Sequence, residues 1–141
     1  MKHICDTADG KSWFRLETEL EAAQESDLMQ HAVERYFREE KEKAATRFAP
    51  ASSRFIEQEI GLKAHLQRTM PLFLTLRDSD GTALVTAMLP PDGRDDPTFR
   101  PIIVGRGNSD PYPEHGNAID ALAARFGLSL SRQRCYPYRR A

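Results

Sequence analysis

A chain of 141 residues, 40% hydrophobic and 29% charged, has the size and balance of one compact domain. That composition is too apolar for a disordered chain, and no apolar run approaches the ~18 residues that span a bilayer. A net charge of −1 removes any global pull toward nucleic acid or an anionic membrane surface.

The opening MKHICDTADGK places Asp6 and Asp9 where a secretory signal needs an uninterrupted apolar core, which points to the cytoplasm. Asp9-Gly10 then reads as a tight reversal between HICDTA and KSWFRLE. Counted outward from a two-residue loop, Ala8 pairs with Lys11, Cys5 faces Phe14 and His3 faces Leu16.

Thr18 followed by Glu21 fits a capping box and opens a helical stretch that meets no Gly or Pro before Phe48. Met29, Val33, Tyr36, Phe37, Ala44 and Phe48 recur at three- and four-residue spacings and mark its buried stripe. A rod of roughly 30 residues would run about 45 Å, longer than a domain of this size is wide. It therefore breaks near Ser26-Asp27 or reaches past the body to another subunit. Residues 55–70 carry two patterns. A helix puts Glu59, Lys63 and Gln67 inside its apolar stripe, whereas Ile60, Leu62, Ala64 and Leu66 alternate as in a strand. The reading taken is a short helix to about Ile60 followed by a strand.

Asp80-Gly81 marks the second hairpin, between PLFLTLRDS and TALVTAML. The count sets Leu76 opposite Val85, Leu74 opposite Ala87 and Leu72 opposite Leu89, a wholly apolar face. Its reverse face, with Phe73, Thr75, Leu84, Thr86 and Met88, is apolar enough to be partly covered. PPDGRDDPTFRP reads as a loop and PIIVG as a short buried strand. The helix NAIDALAARF stops at Gly127, and LSLSRQRCYPYRRA is read as starting with an edge strand. The expected fold is one α+β domain over residues 1–141. Its antiparallel sheet of at least two hairpins has one face covered by the long N-terminal helix and the shorter C-terminal one, and residues 132–141 form a basic, flexible tail.

The chemistry-bearing residues are scattered. His3, Cys5, His115 and Cys135 are the types that ligate zinc, but their spacing matches no zinc signature, and Cys5 is as readily a small apolar core residue. No metal or other cofactor is expected. Two cysteines near opposite ends are read as reduced thiols. VGRGNSD has Asp110 where the dinucleotide fingerprint needs its third glycine. Asp92, Asp95 and Asp96 lack the alternation of a calcium loop. For acid–base chemistry the candidates are His115, Glu114 and Asp110, with Arg106, in a pocket at the 105–116 loop. The tail combines Arg132, Arg134, Arg139 and Arg140 with Tyr136 and Tyr138, a set suited to anions or stacked bases. Residues 1–48 hold eleven acids against eight bases, so the tail has an acidic helix to dock on, in its own chain or in a second copy.

No recognisable catalytic set emerges. The leading expectation is a non-enzymatic protein–protein interaction or regulatory module that self-associates, with homodimerisation in view. A small-ligand binder or enzyme using the 105–116 loop comes second, and anion or nucleic-acid binding by the tail third.

Overall fold

The computed structural model describes residues 1–136. Strands β1 (Lys2–Asp6), β2 (Ser12–Arg15), β3 (Leu72–Arg77), β4 (Ala83–Leu89) and β5 (Ile102–Val104) form one sheet in chain order, every neighbour antiparallel. Helices α1 (Glu19–Met29), α2 (Val33–Thr46) and α3 (Phe55–Thr69) follow β2, and α4 (Tyr112–Phe126) follows β5. The fold is α+β, as the two-residue and three-to-four-residue periodicities require. No helix among the described residues is long and apolar enough to cross a membrane.

Both Asp-Gly reversals close as three-residue loops. Backbone bonds join Thr7 N to Lys11 O at 2.8 Å and Asp78 N to Thr82 O at 3.2 Å. Gly10 and Gly81 each take φ +80°, the left-handed position that ends such a loop and that glycine adopts without strain. A three-residue loop shifts pairing by one step from the two-residue count, and bulges then set the register along the rest of each hairpin. In the second hairpin Arg77 pairs with Ala83; the extra residue Leu84 on β4 then takes the step back. Leu76↔Val85, Leu74↔Ala87 and Leu72↔Leu89 pair as expected. In the first hairpin the irregularity between His3 and Cys5 leaves Ile4 extra on β1, and the pairing drifts further. Cys5 faces Trp13 and His3 faces Phe14, correcting the expected Cys5–Phe14 and His3–Leu16 pairs.

The long helical stretch is two helices. Thr18 and Glu21 form the capping box at its start, with Glu21 N donating to Thr18 Oγ1 at 3.1 Å and Thr18 N to Glu21 Oε1 at 3.2 Å. The break comes at Gln30, in the left-handed region at φ 55°, not at Ser26-Asp27. Ser26 stays inside α1, and its hydroxyl accepts from Glu34 N at 2.9 Å, satisfying one of the free N–H groups that open α2. No over-long rod projects from the body. Residues 55–69 are one continuous helix, which corrects the helix-then-strand reading. Glu59, Lys63 and Gln67 line an open groove beside Leu62 and Leu66, so their place among apolar residues leaves them hydrated.

The sheet lies between helices. Leu72, Leu74, Leu76, Val85, Ala87 and Leu89 join Trp13 and Ile103 against Ala118, Ile119 and Leu122 of α4. Trp13 Nε1 ties the layers by donating to Ala118 O at 2.8 Å. The reverse face presents Phe73 to Ala22 of α1 and to Val33, Phe37 and Ala44 of α2. The first and last helices therefore cover opposite faces, not one, because both sides of the β3–β4 hairpin are apolar enough to need cover. Fully burying each such leucine contributes about 1.5–3 kcal/mol. The segment after α4 adds no strand at its start; it meets the sheet at Tyr136, which forms a parallel bridge with Ile102.

Candidate functional site

The residues singled out in the sequence do not converge. His115 sits in the first turns of α4, where its Nδ1 lies 3.2 Å from Lys11 Nζ and its Nε2 3.8 Å from a Glu114 carboxylate oxygen. Burial and the Lys11 charge push its imidazole below the usual range. The Glu114 side chain is 86% exposed. Asp110 is occupied twice, accepting from Tyr112 N at 3.1 Å and from Arg132 Nη2 at 2.6 Å. Asp110, Glu114 and His115 thus gather at the start of α4.

The four zinc-type residues are likewise apart in role. His3 Nε2 is bonded to Asp6 Oδ1 at 2.7 Å and meets the Phe14 ring edge-on. Cys5 packs at the margin of the α4-side core and Cys135 lies fully buried within it; both are free thiols that burial pushes up. Among the described residues no three His, Cys, Asp or Glu side chains are placed to hold a metal.

In the tail, Arg134 donates to Asp95 Oδ1 at 2.7 Å, and Arg132 lies over the Tyr112 ring while bonded to Asp110. Both arginines thus dock on loop aspartates of their own chain instead of on α1. Tyr136 is held by its backbone, and Arg100 lies over its ring at 5.1 Å. Tyr138, Arg139 and Arg140 fall outside the described residues.

What does converge is a polar chain buried on the α1–α2 side of the sheet. Glu25 of α1 is 0% exposed. Its Oε1 accepts from Arg77 Nη2 at 2.8 Å and its Oε2 from the Thr86 hydroxyl at 2.6 Å. Arg77 is completed by Thr75 Oγ1 at 3.0 Å and Gly81 O at 3.3 Å. His31, in the α1–α2 elbow, reaches Thr86 Oγ1 with Nε2 at 2.8 Å. Proton roles follow from the partners. A carboxylate paired with a guanidinium only accepts, so the Thr86 hydrogen points at Glu25 and His31 Nε2 donates to Thr86. His31 Nδ1 is shielded from solvent, and among the described residues no partner meets it with hydrogen-bond geometry. Burial lowers the pKa of His31, with Glu25 and a contact to the residue's own backbone opposing, and the ring is neutral above the ordinary imidazole value of 6.5. This wiring is the reverse of a nucleophile–base pair, because the hydroxyl proton is committed to the carboxylate and the histidine donates.

The chain ends at a cleft of about 350 Å³ between the elbow and the β4–β5 side of the sheet. Val33, Phe73, Met88, Ile102 and Val104 make it largely apolar, Tyr36 and Tyr136 contribute to its wall, and His31, Thr86 and Asn108 supply polar atoms. Of the 105–116 loop, Asn108 lines this cleft; Arg106, Asp110, Glu114 and His115 do not.

Sequence reasoning missed Glu25 and His31. The available signal was positional: Glu25 shares a helix stripe with buried Ala22 and Met29, so a carboxylate sat on a core face opposite the threonines of the second hairpin. No family model, curated protein or solved structure matches the chain.

Proposed function

We propose that the chain binds a small, largely apolar molecule in the cleft beneath the α1–α2 elbow. A concave apolar lining with a few fixed polar atoms is the usual form of such a site. The observation that carries the reading is the Arg77–Glu25–Thr86–His31 chain. Four polar side chains brought into a protein core cost stability unless paired, and here the pairing runs to the wall of the cleft. Met88→Trp fills the cleft from its floor. A fragment panel followed by methyl and amide NMR shifts is expected to perturb Val33, Met88, Ile102 and Val104 in the native protein, and none of them in the filled variant. Shifts confined to other surfaces reject the reading.

A second reading, self-association through α3, is favoured by a separate observation. Phe55, Ile56 and Ile60 are 71%, 70% and 65% exposed, and α3 contributes no fully buried residue. Arg54, Glu57, Glu59 and Lys63 around them balance to zero charge, so a second copy of the chain meets no repulsion there. Light scattering during size exclusion tests it, and a monomer at high micromolar concentration ends it.

A further inference from the structure

Resting on the self-association reading of α3, we propose that two copies of the chain meet with their α3 helices antiparallel, each seating its Phe55 in the groove beside Leu62 and Leu66 of the other. The two halves of this helix are unlike. The N-terminal half carries the exposed apolar residues Phe55, Ile56 and Ile60. The C-terminal half borders an open groove of about 490 Å³, which Leu62 and Leu66 line together with Leu16, Phe37 and Met70. Those last three belong to the buried cluster under α1 and α2, so the groove opens onto core surface. Phe55, Glu59, Leu62 and Leu66 follow at four-, three- and four-residue spacings and share one stripe of the helix. Phe55 therefore lies on the groove side, two to three turns short of the leucines that would receive it. A straight helix cannot bring its own Phe55 to its own groove, but a second copy can.

Only one orientation makes the face complementary to itself. Parallel helices would set apolar knobs against knobs and groove against groove. A two-fold axis passing between Ile60 and Gly61 instead places each Phe55 opposite the other copy's Leu66, the reciprocal contact of an isologous interface. Charge selects the same arrangement. Glu57 and Glu59 lie toward the N-terminal half and Lys63 and Arg68 toward the C-terminal half, all four exposed. Antiparallel seating sets acids against bases, whereas parallel seating sets like against like. Glu59 and Lys63 also line the groove, so their pairing borders the seated ring.

Methyl NMR of the native protein across a dilution series tests the seating. Association is expected to shift Leu62, Leu66 and Met70 together with Ile56 and Ile60. Phe55→Gln should weaken the dimer at least about tenfold, since two rings per dimer leave their grooves. Orientation is read by mixing. A chain carrying Glu57→Lys, Glu59→Lys, Lys63→Glu and Arg68→Glu matches itself in antiparallel pairing but opposes the native chain. Native mass spectrometry of the mixture is expected to show two homodimers and few heterodimers. Preferred heterodimers, or shifts confined to Ile56 and Ile60, overturn the antiparallel seating while leaving α3 a self-association surface. A monomer at high micromolar concentration, or a dimer with no shift on α3, overturns the seating and the α3 reading together. The dilution series decides by itself if the reversed chain does not fold.

Discussion

The two faces of the sheet are built from the same strands and solve different problems. Toward α4, alternate residues of β3 and β4 are all aliphatic, and one helix closes over them with Trp13 as a pin. Toward α1 and α2, the intervening positions mix Phe73 and Met88 with Thr75 and Thr86, and three helices meet a face that holds an ion pair, a histidine and a cleft. The first face is fixed by area alone, which is non-directional. The second is fixed by direction, because each polar atom there needs a particular partner.

The largest effect expected from breaking this contrast is at Glu25. Glu25→Ala leaves the Arg77 guanidinium, with 13% side-chain exposure, without its carboxylate and releases Thr86 and His31 from their fixed roles. Loss of one member of a buried pair costs about 3–5 kcal/mol, read as a lowered urea midpoint. A loss below about 1 kcal/mol would mean that water reaches the pair and that the second face is not directional at all. On the first face, Leu74→Ala should cost about 2–5 kcal/mol through lost burial and a residual cavity, without altering ligand binding. Trp13→Phe keeps most of the packing but forfeits the bond to Ala118 O, and should cost about 1–3 kcal/mol.

The first face was the legible one, for a physical reason. The Leu72–Leu89, Leu74–Ala87 and Leu76–Val85 pairs follow from alternation, and a single bulge at Leu84 cancelled the error in assumed loop length. The same error at Asp9-Gly10 was not cancelled, because the bulge at Ile4 fell on the other strand of its hairpin. Local signals also failed where a side chain serves a distant group. Ser26 resembles a helix start, yet it caps α2 from within α1. Residues 55–69 alternate like a strand, yet they form a helix whose polar positions border an open groove. The site was least legible of all. His31, Glu25 and Thr86 are separated by up to 61 residues, none belongs to a motif, and only the three-layer arrangement unites them.

A milder contrast concerns pH. The folded protein holds His31 and His115 below their ordinary range, so the unfolded chain binds protons more readily than the folded one. The resulting stability is complete above the ordinary imidazole value of 6.5 and is lost as pH falls through the lowered folded values. Asp9, held at about 2 mainly by its bond to Lys11, adds a similar loss only at more acid pH. Melting temperature should therefore decline between pH 7 and pH 5, and His31→Gln should flatten part of that decline, leaving the His115 share. An unchanged slope in His31→Gln would show that the ring titrates as in water and that its burial beside Thr86 leaves its protonation untouched.

The smallest expected change in stability lies outside both faces, on α3. Phe55, Ile56 and Ile60 are already in water, so replacing all three with glutamine should move the urea midpoint by no more than about 0.5 kcal/mol. That near-silence is what makes the variant useful. If the native chain is a dimer and the triple variant a monomer of equal stability that takes the same fragments in the cleft, then association and ligand binding reside on separate surfaces. If association and fragment binding fall together, α3 communicates with the elbow through α2, which it contacts by the His65–Ala44 bond of 2.8 Å, with the Phe48 ring just past the end of α2 against His65, and the directional face extends further than the cleft. A drop in stability of several kcal/mol would instead show that α3 is covered in the native protein, and its exposed residues would have to be counted as core.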